Sequence, residues 1–437
     1  MKVLISGAGI AGLALARLLQ DEPNIEITLV EKRKQPSIKS AGIALPANAV
    51  TALRTLGLGS QIDSIAHQVN QIRYTDANEK VIAQASLLET PLNLDKFVAL
   101  DRQALRNILV EGMNIPIQYG TSITHIENTD NGANVVFNQD NSTQQNFDLV
   151  IAADGINSEL RTKEAQHNGP LKDLGVLNWR FILDTPTKHI QPTYQFGDTQ
   201  GKLLMTYPIS DNQVYIYAHL KAPTIIPKNA KSDLIDFIQQ SFSEFGGLGN
   251  EMLNKLDNQT HIVSGRLKSV PGANFYAKRV VFVGDASNAC SPMLQQGAAA
   301  AFEDVLTLAK MLKCYSIPRA LQEYQQFRQP RVEWLIKSSD GPFALMAKLN
   351  RWLGSWWGAA VRNMLFRIKG PLNVAGWRTL LASNPLTLLN SITPKEIPPS
   401  YFESKNSTVP TISLEKDVLE QNEALHHKQA PKRQARM

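Results

Sequence analysis

The chain has 437 residues, 43% apolar, 19% charged and 7% aromatic, which predicts two or three domains and excludes a disordered, collagenous or disulfide-stapled chain. Its net charge of +6 does not make it a nucleic-acid binder, because the last ten residues hold Lys428, Lys432, Arg433 and Arg436 and only +2 remains without them, the pattern of a solvated basic tail. Two cysteines, Cys290 and Cys314, are too few for a disulfide framework and lack zinc-ligand spacing, which fits a reducing, cytoplasmic setting and no bound metal.

The N-terminus reads neither as a signal peptide nor, lacking a run of about 18 apolar residues, as a membrane span. Lys2 to Ser6 is a short β-branched run, the pattern of a buried strand. It leads into Gly7-Ala8-Gly9-Ile10-Ala11-Gly12, and Ala11 to Gln20 then predicts a helix. Ile25 to Val30 predicts a second strand with Glu31 at its end, 19 residues past Gly12. Each piece has a physical reason. Gly7 permits the tight turn, Gly9 lets a pyrophosphate approach the backbone, and Gly12 lets helix and strand pack closely. The helix N-terminus offers unpaired N–H groups to phosphate, and Glu31 can accept from ribose hydroxyls. An acid there favours an unphosphorylated ribose, so NAD or the ADP half of FAD, and the fingerprint alone leaves those two open. Lys32 and Arg33 follow the acid as further candidate cofactor contacts.

Phe147 to Ala153 predicts another apolar strand, ending in Asp154-Gly155-Ile156-Asn157-Ser158-Glu159-Leu160-Arg161, which fits DGxxSxxR. Val176 to Leu183, Thr193 to Phe196, Lys202 to Pro208 and Gln213 to Leu220 predict strands of a sheet, and residues 70–98 predict a hairpin on it. Ser232 to Phe242 predicts a helix. Arg279 to Val283 is a strand leading into Gly284-Asp285, then Pro292, Gln296, Gly297 and Ala298, where a small-residue helix begins that carries Glu303 and Asp304. Ala344 to Ile368 has amphipathic helical spacing with interleaved Lys348, Arg351, Arg362 and Arg367; Gly354 and Gly358 are candidate breaks, Gly370-Pro371 is the expected end, and Trp377 to Leu389 predicts a further short helix. Residues 396–437 are polar, with mixed charge, and are expected to be disordered.

At this point the chain resembles the single-component flavoprotein aromatic hydroxylases, the FAD-dependent monooxygenases of the salicylate and para-hydroxybenzoate hydroxylase type, over roughly residues 1–340. Three separated motifs in the right order carry the resemblance, supported by Ala41 to Leu45 with Asn48, by Leu100 to Leu105 with Arg102, and by Tyr207-Pro208. It implies an α/β protein with a Rossmann-like FAD-binding domain, an inserted, mainly antiparallel β substrate domain and C-terminal helices. The implied division is FAD-binding parts at 1–70, 99–175 and 271–340, a substrate-sheet hairpin at 71–98, a substrate domain at 176–270, a helical extension at 341–395 and a tail at 396–437.

The implied cofactor is FAD, reduced by transient NADH or NADPH, with O2 adding to form a flavin C4a-hydroperoxide that hydroxylates an aromatic or similarly electron-rich small molecule. Asp285 is then a contact to the ribityl hydroxyls, Arg102 one to the phosphate or ribityl region, and the helix from Gly297 points its N-terminus at the flavin ring. The family often has histidine where this chain has Asn288; Cys290 reads as a small buried residue. A second dinucleotide fingerprint and a close cysteine pair are missing, which argues against a disulfide reductase, and no WxWxIP-type stretch suggests a halogenase. The alternative is a flavin-dependent epoxidase or dehydrogenase acting on a lipophilic, non-aromatic substrate with a separate reductase. No catalytic base is assigned. Arg180 is a candidate to hold a substrate carboxylate, Tyr207 or His219 to deprotonate a phenol, and Tyr217 shares a strand face with His219. For residues 344–395, packing on the core, capping the substrate entrance, peripheral membrane contact and a partner or dimer contact stay open.

Overall fold

The computed structural model describes residues 1–36, 41–165, 170–197, 201–222, 231–271 and 275–382. The chain divides into two compact units, Met1–Thr393 and Pro394–Met437, and every described residue belongs to the first. The expected tail lies outside the described residues, as do positions 383–395.

Strand Lys2–Ser6 is apolar on both faces, and Val3, Leu4 and Ile5 are fully buried. That pattern suits the middle of a parallel sheet. It pairs in parallel with Glu26–Glu31 on one side and Leu149–Ala152 on the other. Ile117–Tyr119 and Val280–Phe282 add in parallel outside these, and Tyr276–Ala277 closes one edge antiparallel. Because the inner strands are parallel, their carboxyl ends lie along one edge, and the three sequence motifs follow three adjacent strands there. Helices Ile10–Leu19 and Gly297–Cys314 cover one face in a shared core. The second of these, the inner helix, is buried nearly all round, with Ala299, Ala300 and Ala301 allowing close approach of its neighbours.

The second large sheet has seven strands in the order Val263–Ser269, Lys172–Asp184, Gln213–Lys221, Leu203–Ser210, Thr193–Phe196, Gln71–Thr75 and Val81–Ser86. The predicted hairpin joins it, Gln71–Thr75 pairing in parallel with Thr193–Phe196. Alternation divides its residues between two cores. Trp179, Phe181, Val214, Ile216 and Ala218 pack with helices Lys231–Ser241 and Gly247–Asn254. Tyr194, Met205, Tyr207, Tyr215 and Tyr217 face the other way, into a second cluster. Two three-stranded sheets complete the fold. Gly42–Leu45, Val98–Asp101 and His67–Gln68 form one; Ile123–Asn128, Ala133–Phe137 and Asp140–Phe147 form the other, which no sequence pattern had announced.

The C-terminal helices differ from expectation. One helix runs for 53 residues, Ile317–Lys369, through Pro330, Pro342, Gly354 and Gly358. The glycines do not break it, because a helical glycine costs only about 1 kcal/mol against alanine. The expected division at 340/341 falls inside this long helix. Gly370, at φ +75°, and Pro371 end it as expected. The next helix is Leu372–Ala382 rather than a segment starting at Trp377, since Pro371 sits just ahead of its first turn.

Candidate functional site

The glycine turn shows three different environments. A β-carbon built on Gly7, at φ +113°, would lie 2.4 Å from the Ala153 carbonyl oxygen, and one on Gly12 would lie 1.9 Å from that of Gly7. Gly9 has nothing within 4 Å of its built β-carbon. Two glycines thus make the strand–helix packing possible, and the middle one keeps open space before the helix N-terminus. Glu31 closes the turn from the next strand: its carboxylate accepts from Ala8 N at 3.1 Å and from Arg33 N at 3.0 Å. Ala11 is buried in the first helical turn, while Lys32 and Arg33 are exposed beside Glu31.

The second and third motifs are physically tied. Ser158 caps the short helix Glu159–Glu164 by accepting from Arg161 N at 2.9 Å, and Asp154 accepts from Glu159 N at 3.1 Å. Gly155 holds φ +83°. The Arg161 guanidinium donates to Ile156 O and, at 2.7 Å, to Ala286 O beside Asp285. The Gly284-Asp285 turn is clamped from the inner helix as well. Asp304 accepts from Gly284 N at 2.9 Å and from Asn288 Nδ2 at 2.6 Å, so Asn288 serves the backbone of the turn. Arg328 on the long helix donates to Asp304 and Glu303, both at 2.7 Å. Glu303 also accepts from Arg331 and from Asn48, and Asn48 pairs with Gln296 at 2.9 Å. Two arginines hold the buried Glu303 carboxyl down at about 2. Pro292 opens a 3-10 turn ahead of the inner helix; Gln296 is buried, Gly297 is exposed with nothing within 4 Å of its built β-carbon, and Ala298 is half-buried.

Asp285 and Arg102 lie close enough for each to feel the other's charge. Burial raises the Asp285 carboxyl, an effect opposed by Arg102 and then Arg180. Burial lowers Arg102, an effect opposed by Asp285, with Arg180 and Arg33 adding to it. Neither side chain forms a hydrogen bond or ion pair with a described residue, and both keep solvent access. A carboxylate and a guanidinium left without protein partners beside an open glycine turn and an open helix N-terminus fit a dinucleotide, whose phosphates and hydroxyls supply complementary groups.

The wall opposite is the tyrosine face of the seven-stranded sheet. Tyr207 donates to Tyr194 at 2.9 Å, and Gln295 donates to Tyr194 and Tyr207 at 2.6 and 2.8 Å. Gln295 occupies the left-handed region at φ 52° just before the inner helix, so the turn carrying Pro292 is pinned to this sheet. Tyr74 donates to Asn373 at 3.1 Å, and Trp377 donates to Leu294 O at 2.8 Å; the last described helix therefore packs on the aromatic cluster. Burial raises the hydroxyls of Tyr74, Tyr194, Tyr207 and Tyr217, and that of Tyr215 to about 12, so all remain protonated near neutrality.

Arg180 stands on the same face, and its buried Nε has no hydrogen-bond partner. Tyr217 and His219 do share a face, with Tyr217 Oη 3.1 Å from His219 Nδ1. Burial holds the His219 ring down at about 3, opposed by a backbone hydrogen bond at Gly201, and the Phe343 ring lies tilted against it with centroids 5.4 Å apart. A ring held neutral and occupied in this way is poorly suited to take a phenol's proton, as is the buried hydroxyl of Tyr207. Tyr74, Tyr194, Tyr215, Gln295, Asn373 and Trp377 were not among the sequence candidates. Tyr215 was within reach, being two residues from Tyr217 on a predicted strand. Asn373 and Trp377 come from a distant segment that only tertiary packing brings here.

Comparison with known proteins agrees with this geometry. A protein-family model described as "FAD binding domain" matches residues 1–339. The 2-heptyl-3-hydroxy-4(1H)-quinolone synthase of Pseudomonas aeruginosa is 32% identical over 375 residues, covering 84% of this chain and 94% of that protein. The FAD-dependent urate hydroxylase of Klebsiella oxytoca is 26% identical over 354 residues, covering 77% and 88%. Among solved structures, Klebsiella pneumoniae HpxO complexed with FAD and uric acid superposes with a TM-score of 0.71 at 23% identity, covering 89% of this chain and 95% of that one.

Proposed function

The chain belongs to the FAD-binding-domain family of flavin monooxygenases, and from that membership we propose that it hydroxylates a lipophilic aromatic small molecule, a 4-quinolone or related heterocycle, against the tyrosine face of the seven-stranded sheet. It is an FAD-dependent oxidoreductase that uses reduced nicotinamide and O2. The substrate class follows the quinolone synthase, the relative matched over nearly its whole length at 32% identity. The observation that carries the reading is the pair of unpartnered charges, Asp285 and Arg102, facing a buried aromatic wall.

When bound, FAD supplies the redox chemistry, taking electrons from the nicotinamide and activating O2. The residues of this chain that would hold it are Gly7, Gly9, Ala11 and Gly12 at the pyrophosphate, Glu31 with Lys32 and Arg33 at the ribose side, and Arg102 and Asp285 at the phosphate and ribityl region. Asp154 and Gly155 line the same edge, Pro292 opens the turn ahead of the inner helix, and Gln296, Gly297 and Ala298 would present that helix's first amides. The tyrosine wall excludes water and presents aromatic faces to a flat substrate. Where the neutral His219 ring carries its proton on Nε2, Nδ1 accepts from the Tyr217 hydroxyl 3.1 Å away. The Tyr217 oxygen is then left to accept from a substrate O–H or N–H, and Arg180 Nε is left to donate to a substrate oxygen. The chain's two unpaired cysteines fit a reducing, cytoplasmic setting; among the described residues no helix is long and apolar enough to cross a membrane.

The test is purification, an FAD spectrum, and NADH or NADPH oxidation with 2-alkyl-4(1H)-quinolones and with urate. Quinolone-stimulated oxidation with product heavier by one oxygen is expected. Flavin binding without any quinolone-dependent turnover would remove the substrate assignment, and failure to bind flavin would remove the whole reading.

A further inference from the structure

From Gly341 to Lys395 the chain holds seven lysines and arginines and not one of its 39 acidic residues, together with four of its six tryptophans. The described part of this stretch exposes large apolar side chains where water would be expected to select polar ones. Ile368 is 70% exposed, Met364 52% and Leu365 36% in the last turns of the long helix, and Leu372, 53% exposed, opens the next. Positions 364, 365 and 368 share one helical face, and Arg367 is exposed between them. Scattered exposed apolar residues are ordinary, but a contiguous set marks a docking surface.

The occupant is selected by charge. A helix end that combines exposed isoleucine, leucine and methionine with arginine, within a stretch free of carboxylates, is matched by an anionic lipid surface: the apolar side chains enter the acyl boundary while the cations meet headgroup phosphates. Nearby, Arg378 is already engaged by Glu89 at 3.0 Å, so that acid does not oppose the contact. The opposite side of the Leu372–Ala382 helix is sunk into the fold, with Val374, Trp377 and Leu381 in the aromatic cluster and Asn373 accepting from Tyr74. One short helix thus has a face in the substrate wall and an end on the exposed patch.

We propose that Met364, Leu365, Arg367, Ile368 and Leu372 dock the protein on an anionic membrane surface, and that a lipophilic substrate reaches the tyrosine wall from that surface. The second half rests on the hydroxylase reading above. The membrane contact stands on the patch alone.

The experiment is co-sedimentation of the full FAD-loaded chain with phosphatidylcholine vesicles, with and without a minor share of phosphatidylglycerol. Binding should be at least about tenfold tighter to the anionic vesicles and weaken with added salt. The double variant Leu365→Asp/Ile368→Asp should lose about tenfold or more of it, while keeping its flavin spectrum and its NADH oxidation with water-soluble substrates. No preference for anionic vesicles, or equal binding by the variant, overturns the proposal. So does light scattering in which the variant turns a dimer into a monomer, because a second copy of the chain then covers the face. A failed hydroxylase reading looks different: vesicle binding persists while quinolone turnover is missing.

Discussion

Asp285 carries a negative charge in a setting where burial resists it and no described residue bonds it. An ionised group in that position is a cost to the protein alone and an asset once a ligand arrives with hydroxyl donors. The carboxylate is nevertheless exposed at the protein surface, so water relieves most of that resistance and its charge costs the fold little. Asp285→Asn is therefore expected to leave the apoprotein about as stable as the parent, while weakening FAD about tenfold or more, the effect of one charged hydrogen bond of about 1.5–3 kcal/mol. Melting of the apoprotein and a fluorescence titration with FAD check the two halves separately, and a destabilised apoprotein would contradict the argument. His219 gives a second prediction. Its folded pKa of about 3 lies below the unfolded value of about 6.5, so the unfolded state binds the proton first and stability falls as pH drops below 6.5. Between pH 6.5 and 5 this group alone should remove on the order of 1–2 kcal/mol. His219→Gln should flatten that slope in urea denaturation at the two pH values; an unchanged slope would mean that the ring is more open to water than its packing indicates.

The βα turn and the inner helix were legible to different degrees. Gly7, Gly9, Gly12 and Glu31 could be assigned roles before any coordinates, because a strand, a turn and a helix N-terminus are local objects whose spacing is set by backbone geometry. Their structural environments separate two kinds of glycine. Gly9→Ala adds a methyl group into open space, so the variant should fold with near-parental stability yet bind FAD at least about tenfold more weakly. Gly12→Ala places a methyl group 1.9 Å from a carbonyl oxygen and should destabilise the turn by about 3 kcal/mol or more, as overpacking against a rigid backbone does. Equal effects of the two on folding, read by thermal melts without flavin, would remove the distinction. Glu303 and Asp304 were visible only as an acidic pair in a small-residue helix. Their partners Arg328, Arg331 and Asn48 come from segments far apart in sequence, so no periodicity could show that one ion cluster holds both the Gly284-Asp285 turn and the inner helix. Tyr194 and Tyr207 were likewise readable as strand residues but not as one hydrogen-bonded group. Their meeting depends on strand order in the seven-stranded sheet, and Gln295, which joins them, adopts a left-handed backbone that nothing in its neighbours announces.

At the scale of the whole molecule, the last described helix does what no local pattern predicts: it joins the seven-stranded sheet to the turn ahead of the inner helix. Trp377 is 1% exposed, its ring lies 5.2 Å from Phe97, and its indole N–H reaches Leu294 O at 2.8 Å. Gly376 sits so close to Leu294 that a β-carbon there would lie 2.8 Å from Leu294 Cδ2. Removing the indole by Trp377→Ala would forfeit about 3–5 kcal/mol of packing and open the aromatic wall to water. Glycine turn, Glu31 and Asp285 are built from other elements, so FAD should still bind. The expected loss is in coupling: NADH oxidation continues, but hydrogen peroxide rises at the expense of hydroxylated product, because a wet site wastes the activated oxygen. Trp377→Phe keeps most of the apolar filling and gives up the hydrogen bond, worth about 1 kcal/mol, and should fall between the two in product formed per NADH consumed. Measured alongside melting temperature and flavin content, that ordering distinguishes a wall that excludes water from one that only adds stability. If Trp377→Ala remained folded and flavin-loaded with undiminished product per NADH, the helix would be a brace for the fold and the water barrier would have to lie elsewhere.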